Sequence, residues 1–514
     1  MLQKIGIDLD NTIISYDKLI FELAKKKYLI SKRFINKDKD FLKKEIIKKK
    51  GNKEWTTFQG LVYGKYILRA KLSNNFYNTI SKIKNFYDLY IISHKTKWSK
   101  KGIKINLRNA AKKFLKKNKI SYCKNSLIKK KNIFFENTEE EKIKKIKNLK
   151  LNYFIDDLIK VLLKLPKRIN KINFNLKKRK NFLTLSNWRD LETIIFRIKY
   201  KKINSVLKNF FKINQFYARK INQGTNNLTY IIEVKKKRFF LKIFEHKNYK
   251  SFKKEVLFYQ KTKKLNLGTA NIILINKNYR FIIYNYLDGK KIQNPCNSDV
   301  RQCAEFIIKL QKANKFDKNS KCNNLSYATD YLSSIDNSKK NLECRIKNII
   351  KNCDKKYKKK INNFLIKFNT TKKKIYKFEN YNFKKSEFIF SPSDFTFKNI
   401  IKSKNKLYFF DFEYSGFDHP YKLISDFISQ PNIELNKTQS KLFVKILEDK
   451  ININFKQDLF FKVLFITKLK WILIMLNCYK KNKKNILENL ILRNKNLQLV
   501  NKKLKILELE YKNL

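Results

Sequence analysis

The sequence predicts an α/β half followed by an α+β half, and three observations carry this. Over the first 200 residues or so, compact apolar runs ("KIGI" at 4–7, "DLYII" at 88–92, "NYFI" at 152–155) are separated by long Lys-rich amphipathic stretches. That alternation is the signature of a doubly wound parallel sheet. From residue 230 the style changes: "YIIEV", "RFFLKIF", "ANIILI" and "RFIIYNYL" follow in quick succession, as strands of an antiparallel sheet do. From about residue 297 the periodicity is mainly helical, except near 388–412.

Composition bounds the rest. A chain of 514 residues exceeds one ordinary core, and 43% hydrophobic residues argue against global disorder. The net charge of +78 comes almost wholly from Lys spread end to end. With only 9 Gly and 5 Pro beside abundant Asn, Ile, Phe and Tyr, it reads as the skew of an AT-rich coding genome, hence as a solvated coat. No specific nucleic-acid partner follows from it, only incidental affinity for polyanions. The seven cysteines form no CxxC and the three histidines are scattered, so zinc and a disulfide framework are unsupported. A cytoplasmic setting is expected, since "KIGIDLD" opens the chain with no signal peptide before it. "FFKVLFITKLKWILIMLNCY" (460–479) is broken by Lys462, Lys468 and Lys470, so it reads as a core helix, not a membrane span.

The first half delivers carboxylates to its strand ends. "KIGI" leads into Asp8 and Asp10, "DLYII" into Ser93, and "NYFI" into Asp156 and Asp157. Carboxyl ends of neighbouring parallel strands converge on one crevice. Four carboxylates there repel one another unless a hard cation such as Mg²⁺ sits among them. This ordered set resembles the haloacid dehalogenase (HAD) superfamily of phosphohydrolases. "DLDNT" matches its DxDxT motif, Ser93 its second motif, Asp156 and Asp157 its terminal acidic pair, and Lys142 in "EEEKIKKIKNLK" its third, with Lys144 and Lys145 as competitors. The resemblance implies that Asp8 attacks phosphorus, Asp10 works as acid and then base, and Ser93 with the lysine holds the phosphoryl oxygens. It implies Mg²⁺ at Asp8, Asp10, Asp156 and Asp157, a domain over 1–199, and a helical cap inserted at about 14–88.

The second half carries the parts of a phosphoryl-transfer site in order. "NQGTNN" sets Gly224 with Asn226 and Asn227 between strand-like runs, as a phosphate turn requires. "RFFLKIF" puts Lys242 on an apolar strand, and Glu255 lies thirteen residues on in helical "SFKKEVLFYQ". "SPSDFTFKN" (391–399) offers Asp394 and Asn399, and "LYFFDFEYSGFDHP" puts Asp411 and Glu413 at a strand end. The set resembles the aminoglycoside phosphotransferase and choline kinase group, a small-molecule branch of the bilobal protein-kinase-like fold. The resemblance implies a domain over 205–514, with a strand-rich lobe to about 290 and a helical lobe after it. It implies ATP bound by the phosphate turn, by Lys242 paired with Glu255, and by the hinge "YNYLDG" around Tyr286. It makes Asp394 the base, and Asn399 and Asp411 the Mg²⁺ ligands. The family's H-x-D is here Pro392-Ser393-Asp394. Together the halves read as a bifunctional phosphatase and ATP-dependent kinase of small molecules. The alternative is a phosphatase joined to an inactive kinase-like binding module.

Overall fold

The computed structural model describes residues 2–28, 39–175, 183–221, 227–315, 327–431, 433–451, 455–480 and 486–511. The chain divides into two compact units, Met1–Ser205 and Val206–Leu514.

In the first unit β1 (Gln3–Ile7) leads to a short antiparallel pair, β2 (Ile14–Ser15) with β3 (Lys71–Leu72). That pair closes an insertion holding helices Asp17–Tyr28 and Lys39–Gly60, the second broken at Gly51 where φ is +82°. The chain returns through β4 (Tyr87–His94), β5 (Ile133–Glu136), β6 (Tyr153–Asp156), β7 (Asn170–Phe174) and β8 (Thr184–Leu185). These five join β1 in one parallel sheet of order β5-β4-β1-β6-β7-β8. Alternate residues feed two separate cores: Leu89, Ile91 and Ile155 lie in one, Tyr90, Ile92 and Phe154 in the other. The sheet is therefore covered on both faces, which is why its strands read as continuous apolar runs. The insertion ends sooner than residue 88. Helix Phe76–Ile83 buries Phe76, Ile80 and Ile83 in the core that holds Ile5 and Ile7, so it packs as part of the sheet's own cover.

The second unit opens with five antiparallel strands: β9 (Tyr217–Ile221), β10 (Leu228–Val234), β11 (Lys237–Ile243), β12 (Ile272–Asn276) and β13 (Phe281–Asn285), in the order β12-β13-β11-β10-β9. The sequence reading had no counterpart for β9, whose "YARKI" lacks an apolar run. Helix Tyr249–Thr262 packs Phe252 and Val256 against Phe244, Ile282 and Tyr284 of this sheet. Then come β14 (Lys290–Lys291), β15 (Ile389–Ser391), β16 (Ile400–Ser403), β17 (Lys406–Phe409) and β18 (Gly416–Asp418), in two small antiparallel sheets set among helices. The apolar stretch from Phe460 lies in helix Gln457–Met475, with Phe465, Leu469 and Leu473 in the large helical core. Among the described residues no helix is long and apolar enough to cross a membrane.

Candidate active sites

Register builds the first site. Ile7 pairs with both Ile91 and Ile155, so Asp8 and Asp156 come one residue later at the same level of adjacent strands. Ser93, buried, is two residues past Ile91 on the other side. Lys142 lies in the first turn of helix Glu139–Asn148, whose cap is Thr138 accepting from the Glu141 amide at 3.1 Å. Its ammonium meets Asp8 at 2.6 Å and Asp156 at 2.7 Å and is 2% exposed, while Lys144 is exposed and Lys145 turns to Glu136, at 3.7 Å, and to the Phe134 ring. Lys142 is thus the lysine of the site. Burial works against its charge, but Asp8 and Asp156 outweigh it and raise its pKa. Burial also lifts Asp8, against Lys142 and with Asp156, Asp157 and Asp10. Of the two the lysine's charge is the firmer, because two carboxylates face it.

Carboxylate oxygens of Asp8, Asp156 and Asp157 lie within 4.8 Å of one another. Three hard oxygen donors with one lysine among them suit Mg²⁺. Asp10, expected with them as a ligand, stands outside this group. Its carboxylate is taken by Lys95 at 2.8 Å and by the Tyr16 hydroxyl at 2.6 Å. Lys95 and Tyr16 escaped the sequence reading: one lysine among 120 basic residues carries no signal until burial marks it.

The second site is a cleft of about 1070 Å³ lined by Asn227, Lys242, Glu255, Tyr286, Asp394, Asn399 and Asp411, among others. Gly224 and Asn226 lie outside the described residues. Lys242, central in the sheet on β11, contacts Glu255 at 2.6 Å, Asp411 at 2.5 Å and Glu413 at 3.1 Å. Asn227 donates to Glu413 and accepts from Asn248 at 3.1 Å. Asp411 follows β17 with a left-handed φ of 72°, a conformation Asp tolerates better than most residues. Three carboxylates outnumber one lysine. Burial, and then Asp411 and Glu413 against the pull of Lys242, push Glu255 up to about 7. Carboxylate atoms of Glu255, Asp411 and Glu413 also cluster within 4.8 Å, a donor set that fits a hard divalent cation.

The Asp394 loop is held without a histidine. Asn399 donates to the Asp394 backbone oxygen at 2.9 Å and to its carboxylate at 3.1 Å, which leaves the amide oxygen of Asn399 as its metal-seeking atom. The Ser391 hydroxyl accepts from the Ser393 amide at 3.1 Å. Gln311 bonds both backbone groups of Phe390, at 2.9 and 3.0 Å, and Gln430 accepts from the Phe397 amide at 2.9 Å. Gln311, Gln430 and Tyr284, whose hydroxyl donates to Glu255 at 2.6 Å, were not read from the sequence, where a single Gln or Tyr marks nothing. Burial lifts the Asp394 pKa, Lys398 lowers it and Asp411 lifts it further.

No family model matches the chain, and no curated protein matches it. Among solved structures it is similar to spectinomycin phosphotransferase APH(9)-Ia, captured with ADP and spectinomycin, at 13% identity and a TM-score of 0.43, over 59% of this chain and 98% of that one. It is similar to choline kinase from Cryptosporidium parvum Iowa II at 14% identity and a TM-score of 0.39, over 62% and 96% of the two chains. Choline kinase LicA from Streptococcus pneumoniae gives 15% identity and 0.39, over 60% and 99%. At such identities and TM-scores the likeness carries no argument about activity.

Proposed function

We propose that residues 206–514 form an ATP-dependent kinase acting on a hydroxyl of a small molecule, and that residues 1–205 form a phosphatase of the HAD type, both Mg²⁺-dependent. The observation that carries the kinase reading is the common cleft: Lys242 with Glu255, Asp394 with Asn399, and Asp411 reach it from separate elements. Phosphoryl transfer asks chiefly for positioning and for charge set against the phosphates. Lys242, with Glu255 behind it, holds phosphate oxygens. Asp394, raised by burial, takes the acceptor's hydroxyl proton as that oxygen bonds to the γ-phosphorus and the bond to the β-phosphate oxygen breaks. Asp411, Glu413 and the Asn399 oxygen would hold Mg²⁺, which supplies charge neutralisation on the phosphates.

In the first unit Asp8 attacks phosphorus as the bond to the leaving oxygen breaks, Asp10, protonated from solvent, passes that proton to the leaving oxygen, and the resulting carboxylate takes a proton from the water that attacks the phosphorus and breaks its bond to Asp8. Lys142 holds Asp8 in place, and Asp8, Asp156 and Asp157 would hold the metal. Asp8→Asn separates the two readings in one protein. Hydrolysis of p-nitrophenyl phosphate is expected to vanish while Mg·ATP consumption persists across a panel of hydroxyl metabolites. Near-normal hydrolysis in that variant would sink the phosphatase. ATP bound but never consumed would leave the second unit as a binding module.

A further inference from the structure

The cleft changes chemistry from one end to the other. Around Lys242 its lining is acidic, with Glu255, Asp411 and Glu413. Elsewhere the lining sets Arg345, Lys422 and Lys470 beside Asp330 and Asp426. There Asp426 serves two ammonium groups, Lys470 at 2.5 Å and Lys422 at 3.4 Å. Arg345 holds Asp330 at 2.5 Å, and Lys422 also holds the fully buried Asp418 at 2.9 Å. Among the described residues, every lining carboxylate at this end except Asp394 is therefore already engaged. A second cavity of about 40 Å³ shares Asp330, Arg345, Lys422 and Lys470 with the cleft and adds the hydroxyls of Ser338 and Thr467. That is room for about three water-sized groups.

We propose that this end is an anion subsite that takes a phosphate or carboxylate group carried by the acceptor. Calling its occupant the acceptor rests on the kinase reading; the charge pattern stands without it. Apart from Asp394, which the proposed transfer uses, a cationic molecule would meet no lining carboxylate here free of a lysine or arginine and would have to pull Asp426 from two lysines, stranding buried charge. An anion instead adds charge-assisted hydrogen bonds to groups that still have donors to give, since the Lys470 and Arg345 side chains stay 17% and 31% exposed. The crowding is visible in Lys470: burial, and then Lys422 and Arg345, hold its amine below the ordinary range in spite of Asp426.

The test uses the full chain carrying Asp8→Asn, saturated with Mg²⁺ and a non-hydrolysable ATP analogue. Inorganic phosphate, glucuronate, choline and kanamycin are each titrated calorimetrically. Phosphate or glucuronate is expected to bind, and which of them binds tells phosphate from carboxylate recognition. Lys470→Gln and Arg345→Gln should each weaken that binding about tenfold or more, the scale of one hydrogen bond to a charged group. Arg345 is open enough to solvent that its variant keeps the fold, checked by circular dichroism. Anion binding that is absent, or that neither variant weakens, overturns the subsite, as does tighter binding of choline or kanamycin. Failure of the nucleotide analogue to bind would count against the kinase reading alone, and the anion titration would still decide the subsite.

Discussion

Asp394 and Asp411 line one cleft but sit in different electrostatic company. Asp411 touches the Lys242 ammonium and is grouped with two other carboxylates; Asp394 is bonded by the Asn399 amide and lifted by burial. Asp411→Asn is therefore expected to weaken Mg·ATP binding by tenfold or more, roughly one charged contact. Asp394→Asn should leave binding within a few-fold while cutting turnover by about 10² to 10⁴, the usual share of a general base. Calorimetric ATP titration beside turnover on both variants decides; equal loss of binding would mean that the roles are wrongly divided. At this scale the sequence was legible wherever a residue type was rare in its place, as with Asp8 and Asp394. It was not where the type was common. Lys142, Lys144 and Lys145 lie within one turn of helix, and only burial separates them.

A helix brings Lys422 and Asp426 to the cleft, and its start depends on one ring. Helix Pro420–Ile428 begins at His419, whose Nδ1 accepts from the Tyr421 amide at 3.2 Å, with Pro420 at the first helical position. The ring is packed against Phe383 and Tyr421, each at 4.5 Å between centroids, and its burial lowers the pKa to about 3. The ring is therefore neutral near pH 7, and its 3.5 Å contact with Glu387 is not an ion pair there. The unfolded chain binds the proton near 6.5 and the folded one near 3, so stability is whole above about pH 6.5 and drains as pH falls toward 3. The total is on the order of a few kcal/mol. His419→Asn keeps a cap acceptor and removes the titration. Urea unfolding followed from pH 7 to pH 4 should show a flatter decline in that variant, and an unchanged decline would refute the assignment. Elements marked by long, nearly unbroken apolar runs, such as β4 and helix Gln457–Met475, were legible in advance. β9 was not, because a short strand with Arg219 and Lys220 shows no alternation.

Among the described residues of the whole chain stand two acidic clusters, each gathered around a lysine, one in each unit. Ligand linkage tests the second directly. Mg·ATP at a hundred times its dissociation constant stabilises the state that binds it by about 2.7 kcal/mol. Amide exchange in peptides covering β10, β11 and β17 is expected to slow accordingly, and Asp411→Asn should abolish the slowing. Unchanged exchange in the native protein would remove nucleotide binding from its functions.

The order of the chain by itself determined the alternation of strands and helices in the first unit, the antiparallel run that opens the second, and the short roster of acids at strand ends. These are local properties, written in periodicity and in the residues that stop a run. Only the tertiary structure decided which lysine meets Asp8, that Asp10 meets Lys95 and Tyr16 outside the cluster of Asp8, Asp156 and Asp157, and that Arg345, Lys422 and Lys470 line the same cleft as Asp394. Lys142 is 134 residues from Asp8 and Lys242 is 169 from Asp411. Such pairs are set by strand order, register and burial, and in a chain with 120 basic residues no local pattern distinguishes the few that are drawn inside.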